Sequence, residues 1–164
     1  MEMYMLLSGS KAEVYDIVLD SLYYEVSQSS NKKINKSSLK KGFKHTKHQK
    51  KGKHTVDYHY HLTELDPEKG YNLKVQTNSG TITMGMRFES EENGLCEVCY
   101  YEDFKAKVEE HGFLFKVSDF FYQRKIKRRA KRMLKEIDQV IKNKHRDAAK
   151  AAEEDSAEEN ASKH

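Results

Sequence analysis

The pattern of apolar residues in the first third of the chain predicts a strand followed by a helix. Met3–Leu7 is a short apolar run of the kind found in buried strands. Ser10 and Glu13 then have the spacing of a capping box, so we expect a helix to begin there. Residues 32–39 fit a short second helix. Gly42 opens a lysine- and histidine-rich stretch with weak strand character.

From residue 54 onward the apolar period changes to two, which is typical of half-buried strands. Turns at residues 66–70, 78–80 and 91–94 separate four such stretches. Because these loops are short, we expect neighbouring strands to pair as an antiparallel meander. The pattern predicts a curved sheet whose apolar face carries Val56, Tyr58, Tyr60, Leu62, Tyr71, Leu73, Val75, Ile82, Met84, Met86, Phe88, Cys96, Val98 and Tyr100.

A sheet with one apolar face needs a cover, and the C-terminal third predicts a long helix. Ser118 and Asp119 offer an N-cap, and apolar residues follow at steps of three and four: Ile126, Ala130, Met133, Leu134, Ile137, Val140 and Ile141. Beyond Asp147 the chain is rich in Ala and Glu and has no large apolar residue. We therefore predict a domain over residues 1–146 and a disordered acidic tail over residues 147–164.

Composition narrows the class of protein. The chain has 164 residues, of which 37% are hydrophobic, and its ten Tyr and seven Phe argue against general disorder. No apolar run reaches the about 20 residues of a membrane span, and the first residues lack the basic flank of a signal peptide. Two cysteines do not form a disulfide framework. We expect a soluble cytoplasmic protein.

Charge is strongly segregated although the net charge is only +4. Residues 31–54 hold ten lysines and no acid, and residues 120–146 hold eleven basic residues and two acids. Two interpretations remain open: these stretches balance an acidic sheet, or they bind a polyanion such as RNA or DNA, or a partner. The second would use segment 32–53 and the basic face of the last helix, through Lys40, Lys41, Lys44, Lys47, Lys50, Lys51, Arg124, Arg128, Arg129 and Arg132.

The sequence offers no motif for catalysis or for metal binding. Cys96 and Cys99 have the spacing of a zinc or redox pair, but on a strand they face opposite sides, and we interpret Cys96 as core. His59, His61 and Asp57 share the polar face of their strand, which is expected to meet solvent. No nucleophile–base pair and no glycine-rich phosphate loop is present. We therefore predict no catalytic residues, no metal and no cofactor, and favour a protein that is not an enzyme.

The inward face of the sheet supplies the candidate ligand site. Methionines adapt to irregular shapes, and with the tyrosines they would line a cavity for an apolar molecule. The same alternation turns Glu102 inward, where it would orient a ligand or act as a base, unless it reaches water at the strand end. Periodicity does not distinguish a hollow interior from a packed one. The candidate cavity residues are Tyr58, Tyr60, Met84, Met86, Phe88, Val98, Tyr100 and Glu102.

The order strand, helix, meander, long helix resembles the helix-grip arrangement of the START-like or Bet v 1-like (SRPBCC) superfamily. More narrowly, the chain is similar to a family of small START-like proteins from Gram-positive bacteria. The residues that carry this resemblance are Ser10–Asp16, Tyr71, Val98–Glu102 and the basic last helix. It implies an α+β fold, with a curved antiparallel sheet wrapped around a long C-terminal helix and an N-terminal strand–helix unit. It also implies binding of an apolar or amphipathic small molecule, and no particular reaction.

Overall fold

A computed structural model describes residues 1–30, 33–107 and 113–161 as a single sheet with two helices. The strands are β1 (Glu2–Leu7), β2 (Lys44–Lys51), β3 (His54–Asp66), β4 (Gly70–Gln76), β5 (Gly80–Glu92) and β6 (Leu95–Ala106). The helices are α1 (Lys11–Ser29) and α2 (Phe113–Ala161), and residues Lys36–Ser38 form one short 3-10 turn. The α+β fold class predicted from the sequence is confirmed.

The sheet is antiparallel throughout, with strand order β1-β6-β5-β4-β3-β2. Strands β3 to β6 therefore form the predicted meander, β2 extends it at one edge, and β1 pairs with β6 at the other end of the sheet. Register shifts occur between Leu62 and Glu64 on β3 and between Phe88 and Ser90 on β5. Such irregularities bend a strand and increase its twist, which helps this sheet to curve towards the helices.

Alternation along the strands places one row of side chains on the concave face. Met84 is opposite Glu102 in the ladder between β5 and β6, and Met86 is opposite Tyr100. Met86 is 1% exposed and packs in the core together with Leu7 and Val98, which are fully buried. The core thus lies between the concave face and the helices.

Strand β1 differs in one respect from the buried strand predicted for Met3–Leu7. Leu7 is buried, but Tyr4 and Leu6 are each 57% exposed. The reason is that β1 is an edge strand, and only one of its faces meets the helices. Cys99, on the same outer face of the neighbouring strand, is nevertheless fully buried, with the guanidinium of Arg87 3.3 Å from its sulfur.

Helix α1 begins with the predicted capping box. The Ser10 side chain accepts a hydrogen bond from the backbone N–H of Glu13, and the Glu13 carboxylate accepts one from the backbone N–H of Ser10. Val14, Val18 and Val26 form its buried stripe. These contacts fix the point at which the chain leaves β1 and enters the helix.

Helix α2 is the long cover of the sheet. The predicted apolar stripe is confirmed at Ile126, Ala130, Leu134, Ile137 and Ile141, all buried, whereas Val140 is 41% exposed. Gly9 lies so close to the helix that a Cβ atom on it would be 2.8 Å from Cγ2 of Ile141. The loop between β1 and α1 therefore holds α2 against the sheet.

Both ends of α2 extend further than the sequence pattern predicts. The helix begins at Phe113, five residues before the expected cap at Ser118, and continues to Ala161, beyond the predicted boundary at residue 146. No Gly or Pro occurs between residues 113 and 164, and Ala and Glu favour helix. Residues 162–164 lie outside the described residues, and the disorder of the tail stays a prediction. Within the described part of the chain, neither helix is long and apolar enough to cross a bilayer.

Candidate functional site

The concave face ends in a buried polar cluster where β6 meets α2. Alternation along β6 turns Val98, Tyr100 and Glu102 inward, and Glu102 is only 2% exposed. The Tyr100 hydroxyl donates a hydrogen bond to Oε2 of Glu102 at 2.7 Å. Nη2 of Arg129 donates to the same oxygen at 2.5 Å. The cluster thus joins α2 to the last strand of the sheet.

Burial and the neighbouring carboxylate keep two of these groups protonated. Burial raises the pKa of Tyr100 far above its usual value, and the hydrogen bond to Glu102 raises it further. For Arg129, burial acts to lower the pKa, but the hydrogen bond and negative charge of Glu102 outweigh burial and the net shift is upward. At neutral pH, Tyr100 and Arg129 are therefore both fixed hydrogen-bond donors to the carboxylate of Glu102.

Beside this cluster lies a cavity of about 750 Å³ between the sheet and α2. Ile82 and Met84 of β5 and Ile126 of α2 provide its apolar wall. Glu102 and Arg129 form a polar end. The remaining wall comes from α2. It consists of Tyr122 and four cationic side chains: Arg124, Lys125, Arg128 and Arg132.

Among the smaller cavities along the same helix, two also border the sheet. One of about 280 Å³ shares Met84, Arg129 and Arg132 with the large cavity and is also lined by Tyr71 and Tyr100. Burial raises the pKa of Tyr71 far above its usual value, so its hydroxyl is also protonated at neutral pH. The other, of about 260 Å³, lies between the two helices and is lined in part by Ile17, Leu22, Met86, Met133 and Val140.

The eight cavity residues predicted from the sequence are distributed over several environments. Met84 and Glu102 line the large cavity, Tyr100 lines the one of 280 Å³, and Met86 lines the one of 260 Å³. Phe88 and Val98 belong to the packed core, and Tyr58 and Tyr60 pack against it from β3. The interior is therefore packed around Phe88 and Val98 and open beside Met84.

Sequence reasoning placed the arginines of α2 on a separate basic surface, and the structure places four of them around the large cavity. Arg124, Arg128, Arg129 and Arg132 all line it. The signal that would have located Arg129 was its spacing: it follows Ile126 by three residues and precedes Met133 by four, so it lies on the side of α2 that faces the sheet. Ile82, Tyr122, Lys125 and Ile126 were also missing from the predicted site.

The lysine-rich segment 32–53 lies at the other end of the strand order. Lys47 points towards α1 and forms an ion pair with Glu25 at 2.5 Å, while Lys40, Lys41, Lys44 and Lys50 are exposed. Lys32 and the side chain of Lys51 lie outside the described residues. Strand β2 is separated from β5 by two strands, so this segment and the cavity belong to different parts of the sheet.

The histidine-containing face of β3 is partnered from β2. Nδ1 of His48 is 2.7 Å from Oδ1 of Asp57, and His59 is within hydrogen-bond distance of Thr46. Among the described residues no group of three or more His, Cys, Asp or Glu side chains is arranged to hold a metal ion. Burial raises the pKa of the Cys96 thiol to about 11.

Comparison with known proteins assigns the chain to a family. A family model described as a domain of unknown function (DUF3284) matches residues 1–123. The chain belongs to this family. No curated protein matches the chain.

Solved structures of other proteins have a similar fold. Ara h 8.0201 is similar with a TM-score of 0.55 and 12% sequence identity, over 85% of this chain and 95% of that chain. The Mll3558 protein from Rhizobium loti is similar with a TM-score of 0.50 and 10% identity, over 84% of this chain and 92% of that chain. The likeness shows the fold, which is the Bet v 1-like helix-grip fold, and confirms the resemblance stated from the sequence.

Proposed function

We propose that this protein binds a small apolar or amphipathic molecule in the large cavity between the sheet and α2. The observation that carries the proposal is the cavity itself, which combines about 750 Å³ with an apolar wall and a polar end. Pockets for small organic ligands usually have volumes of about 300 to 1,000 Å³ and a few fixed polar groups in an apolar lining. Ile82, Met84 and Ile126 supply the lining, and Glu102 with Arg129 supplies the polar end.

The side chains at the polar end of the cavity are held in place without a ligand. Tyr100 and Arg129 both donate to one oxygen of Glu102, so the three side chains restrain one another. Groups that are already fixed lose little conformational freedom when a ligand binds, and they orient it. The Arg129 side chain is 56% exposed, so part of its guanidinium remains accessible for such a contact.

The cavity adjoins a part of the interior that is closely packed. Leu7, Val14, Val98 and Leu134 are fully buried, and Met86 is nearly so. A generally loose core would expose such residues or leave gaps around them. The open volume beside Met84 therefore has a defined place, at the junction of β5, β6 and α2.

Native mass spectrometry of protein purified at low salt, repeated after denaturation, tests the proposal. We expect a discrete adduct in the native spectrum that is lost on denaturation. Ile82→Trp fills the cavity and should remove the adduct. Thr83→Trp on the same strand is the matched control, since Thr83 points to the opposite face, and it should retain the adduct. An adduct that persists in Ile82→Trp would contradict the proposed site.

The same experiment also tests the alternative function, polyanion binding through the lysine-rich segment and the basic face of α2. A protein that binds RNA or DNA would retain oligonucleotide at low salt and lose it at high salt, because phosphate contacts are strongly salt-dependent. A bare polypeptide mass together with such an oligonucleotide would favour this alternative over the cavity.

A further inference from the structure

The charge of the cavity wall indicates what kind of ligand it accepts. Among the described residues that line the large cavity, Glu102 is the one carboxylate and five side chains are cationic: Arg124, Lys125, Arg128, Arg129 and Arg132. Glu102 is already engaged by Arg129. Among the described residues, Arg124, Lys125 and Arg128 have no acidic partner within 4.0 Å. The cavity is therefore strongly positive on its α2 side.

The arginines form a column along the helix. Arg124, Arg128 and Arg132 follow one another at intervals of four residues, so their side chains lie above one another on one face of α2. Like charges at this spacing destabilise a helix. Glu136, one turn after Arg132 and 3.9 Å from it, is the one acid paired with this column among the described residues. An anion bound between Arg124 and Arg128 would relieve that repulsion.

Part of the apolar wall comes from a different element than the column. Ile82 and Met84 belong to β5, whereas Arg124, Arg128 and Arg132 belong to α2, and both sets line the same cavity. A ligand that satisfies both walls has an apolar body on the sheet side and a negative group on the helix side. Guanidinium groups bind carboxylate, sulfonate and phosphate oxygens through pairs of parallel hydrogen bonds.

We propose that the ligand of this cavity is an amphipathic anion, with its apolar body against Ile82 and Met84 and its anionic group bound by Arg124 and Arg128. This inference rests on the proposed function, because it specifies the ligand class of the same cavity. A site of this kind differs from a purely apolar pocket, in which a charged ligand would bind less well. It also differs from a surface that binds any polyanion, because it requires an apolar body on the ligand.

Two fluorescent probes with the same ring system test the inference. Anilinonaphthalene sulfonate carries one sulfonate group, and phenylnaphthylamine is its neutral counterpart. We expect the sulfonate to bind the wild-type protein more tightly than the neutral probe. Arg124→Gln with Arg128→Gln should weaken binding of the sulfonate at least about tenfold, equivalent to about 1.4 kcal/mol, and leave the neutral probe unchanged.

The matched control removes the same charge from the helix without touching the cavity. Lys127 and Lys135 are exposed on α2 and do not line the large cavity. Lys127→Gln with Lys135→Gln should retain the preference for the sulfonate. If this control variant lost the preference as fully as the arginine variant, the preference would come from the general field of the helix, and the inference would be overturned.

The two levels of the proposal fail in different ways. If both probes bind with equal affinity and both are lost in Ile82→Trp, the cavity binds ligands but the assignment of an anionic ligand is wrong. If neither probe is affected by Ile82→Trp, the cavity is not the binding site, and the proposed function fails together with the inference. Circular dichroism of each variant checks that it is folded.

Discussion

Arg129 of α2 donates a hydrogen bond of 2.5 Å to the buried carboxylate of Glu102 on β6. This contact joins the long helix to the last strand at the polar end of the cavity. The sequence pattern assigns Arg129 to the basic outer face of the helix, but the structure shows that it pairs with a buried carboxylate. Five predictions concern this contact, the packing of the helices on the sheet and the lysine-rich segment.

The first concerns the ion pair itself. Arg129→Gln leaves the buried Glu102 carboxylate without its cation. Because the Arg129 side chain is itself 56% exposed and water screens the pair, we expect the free energy of unfolding to fall by about 1 to 2 kcal/mol. Glu102→Gln combined with Arg129→Gln leaves no unpaired charge and should be more stable than Arg129→Gln alone. Urea denaturation of the two variants measures both values. A double variant that is less stable than the single one would show that the pair is not coupled.

The second contrasts two methionines on one strand. Met86 is 1% exposed and borders the cavity of about 260 Å³, whereas Met84 is half-buried and lines the large cavity. Met86→Ala should cost about 3 kcal/mol of stability, and Met84→Ala less than about half of that, because the half-buried Met84 side chain loses fewer packed contacts on truncation. Thermal unfolding of both variants checks the order. Equal losses would indicate that no open space exists beside Met84.

The third concerns pH. The backbone hydrogen bond from Ser10, followed by the contact with His145, lowers the pKa of Glu13 below its usual 4.5. A carboxyl with a lowered folded-state pKa stabilises the fold above its unfolded-state pKa, and this stability is lost as the pH falls through the folded-state value. Glu13→Gln should therefore cost about 1 kcal/mol at neutral pH and flatten the acid side of the stability curve.

Asp16→Asn is the control for this prediction, because Asp16 is an exposed acid in the same helix. It removes the same charge but leaves the Glu13 carboxylate in contact with the Ser10 N–H and His145. Urea denaturation of both variants at about one-unit steps between pH 3 and pH 7 distinguishes the loss of the Glu13 contacts from the loss of one negative charge. An acid limb that Asp16→Asn flattens as much as Glu13→Gln does would assign the pH dependence to net charge.

The fourth prediction tests the contact between α2 and the loop that joins β1 to α1. A Cβ atom on Gly9 would lie 2.8 Å from Cγ2 of the fully buried Ile141 and 3.1 Å from Oε2 of Glu13. Gly9→Ala should therefore force the loop and the helix apart and cost about 1 to 3 kcal/mol. An unchanged unfolding midpoint would show that the loop after β1 does not pack against α2 in solution.

The fifth separates the lysine-rich segment from the cavity. Lys40, Lys41, Lys44 and Lys50 are exposed and do not line the cavity, whereas Lys47 is paired with Glu25. Substitution of the first four by Gln should leave ligand affinity unchanged, as fluorescence titration would measure. Loss of all binding in this variant would transfer the binding site to the segment around β2.

The fold could be predicted from the sequence because the hydrophobic period, the turn residues and the helix cap all indicate the same elements. The period of two along β3 to β6, the short turns between them and the capping box at Ser10 all have local causes, and the structure confirms each. The ends of α2 were predicted less well. The pair Ser118–Asp119 resembles a cap, but with no Gly or Pro after residue 112 nothing local prevents the helix from beginning at Phe113.

The site could be predicted only in part, because it depends on which elements meet. Alternation correctly turned Glu102 inward, and the helical period places Arg129 on the sheet side of α2, but neither pattern shows that the two side chains meet across 27 residues of chain. The same alternation placed Met84 and Met86 on one face without showing that Met84 lines the large cavity and that Met86 is almost fully buried. The open space is set by the curvature of the sheet and the path of the helix, which a residue period does not encode.

Methyl NMR of the methionine side chains tests most directly whether the cavity holds a ligand. The chain has six methionines, and Met84 lines the large cavity whereas Met5 lies on β1 opposite Val98. On titration with anilinonaphthalene sulfonate, we expect the Met84 methyl signal to shift in a saturable way and the Met5 signal to change little. A Met84 signal that does not move at saturating probe would contradict the account.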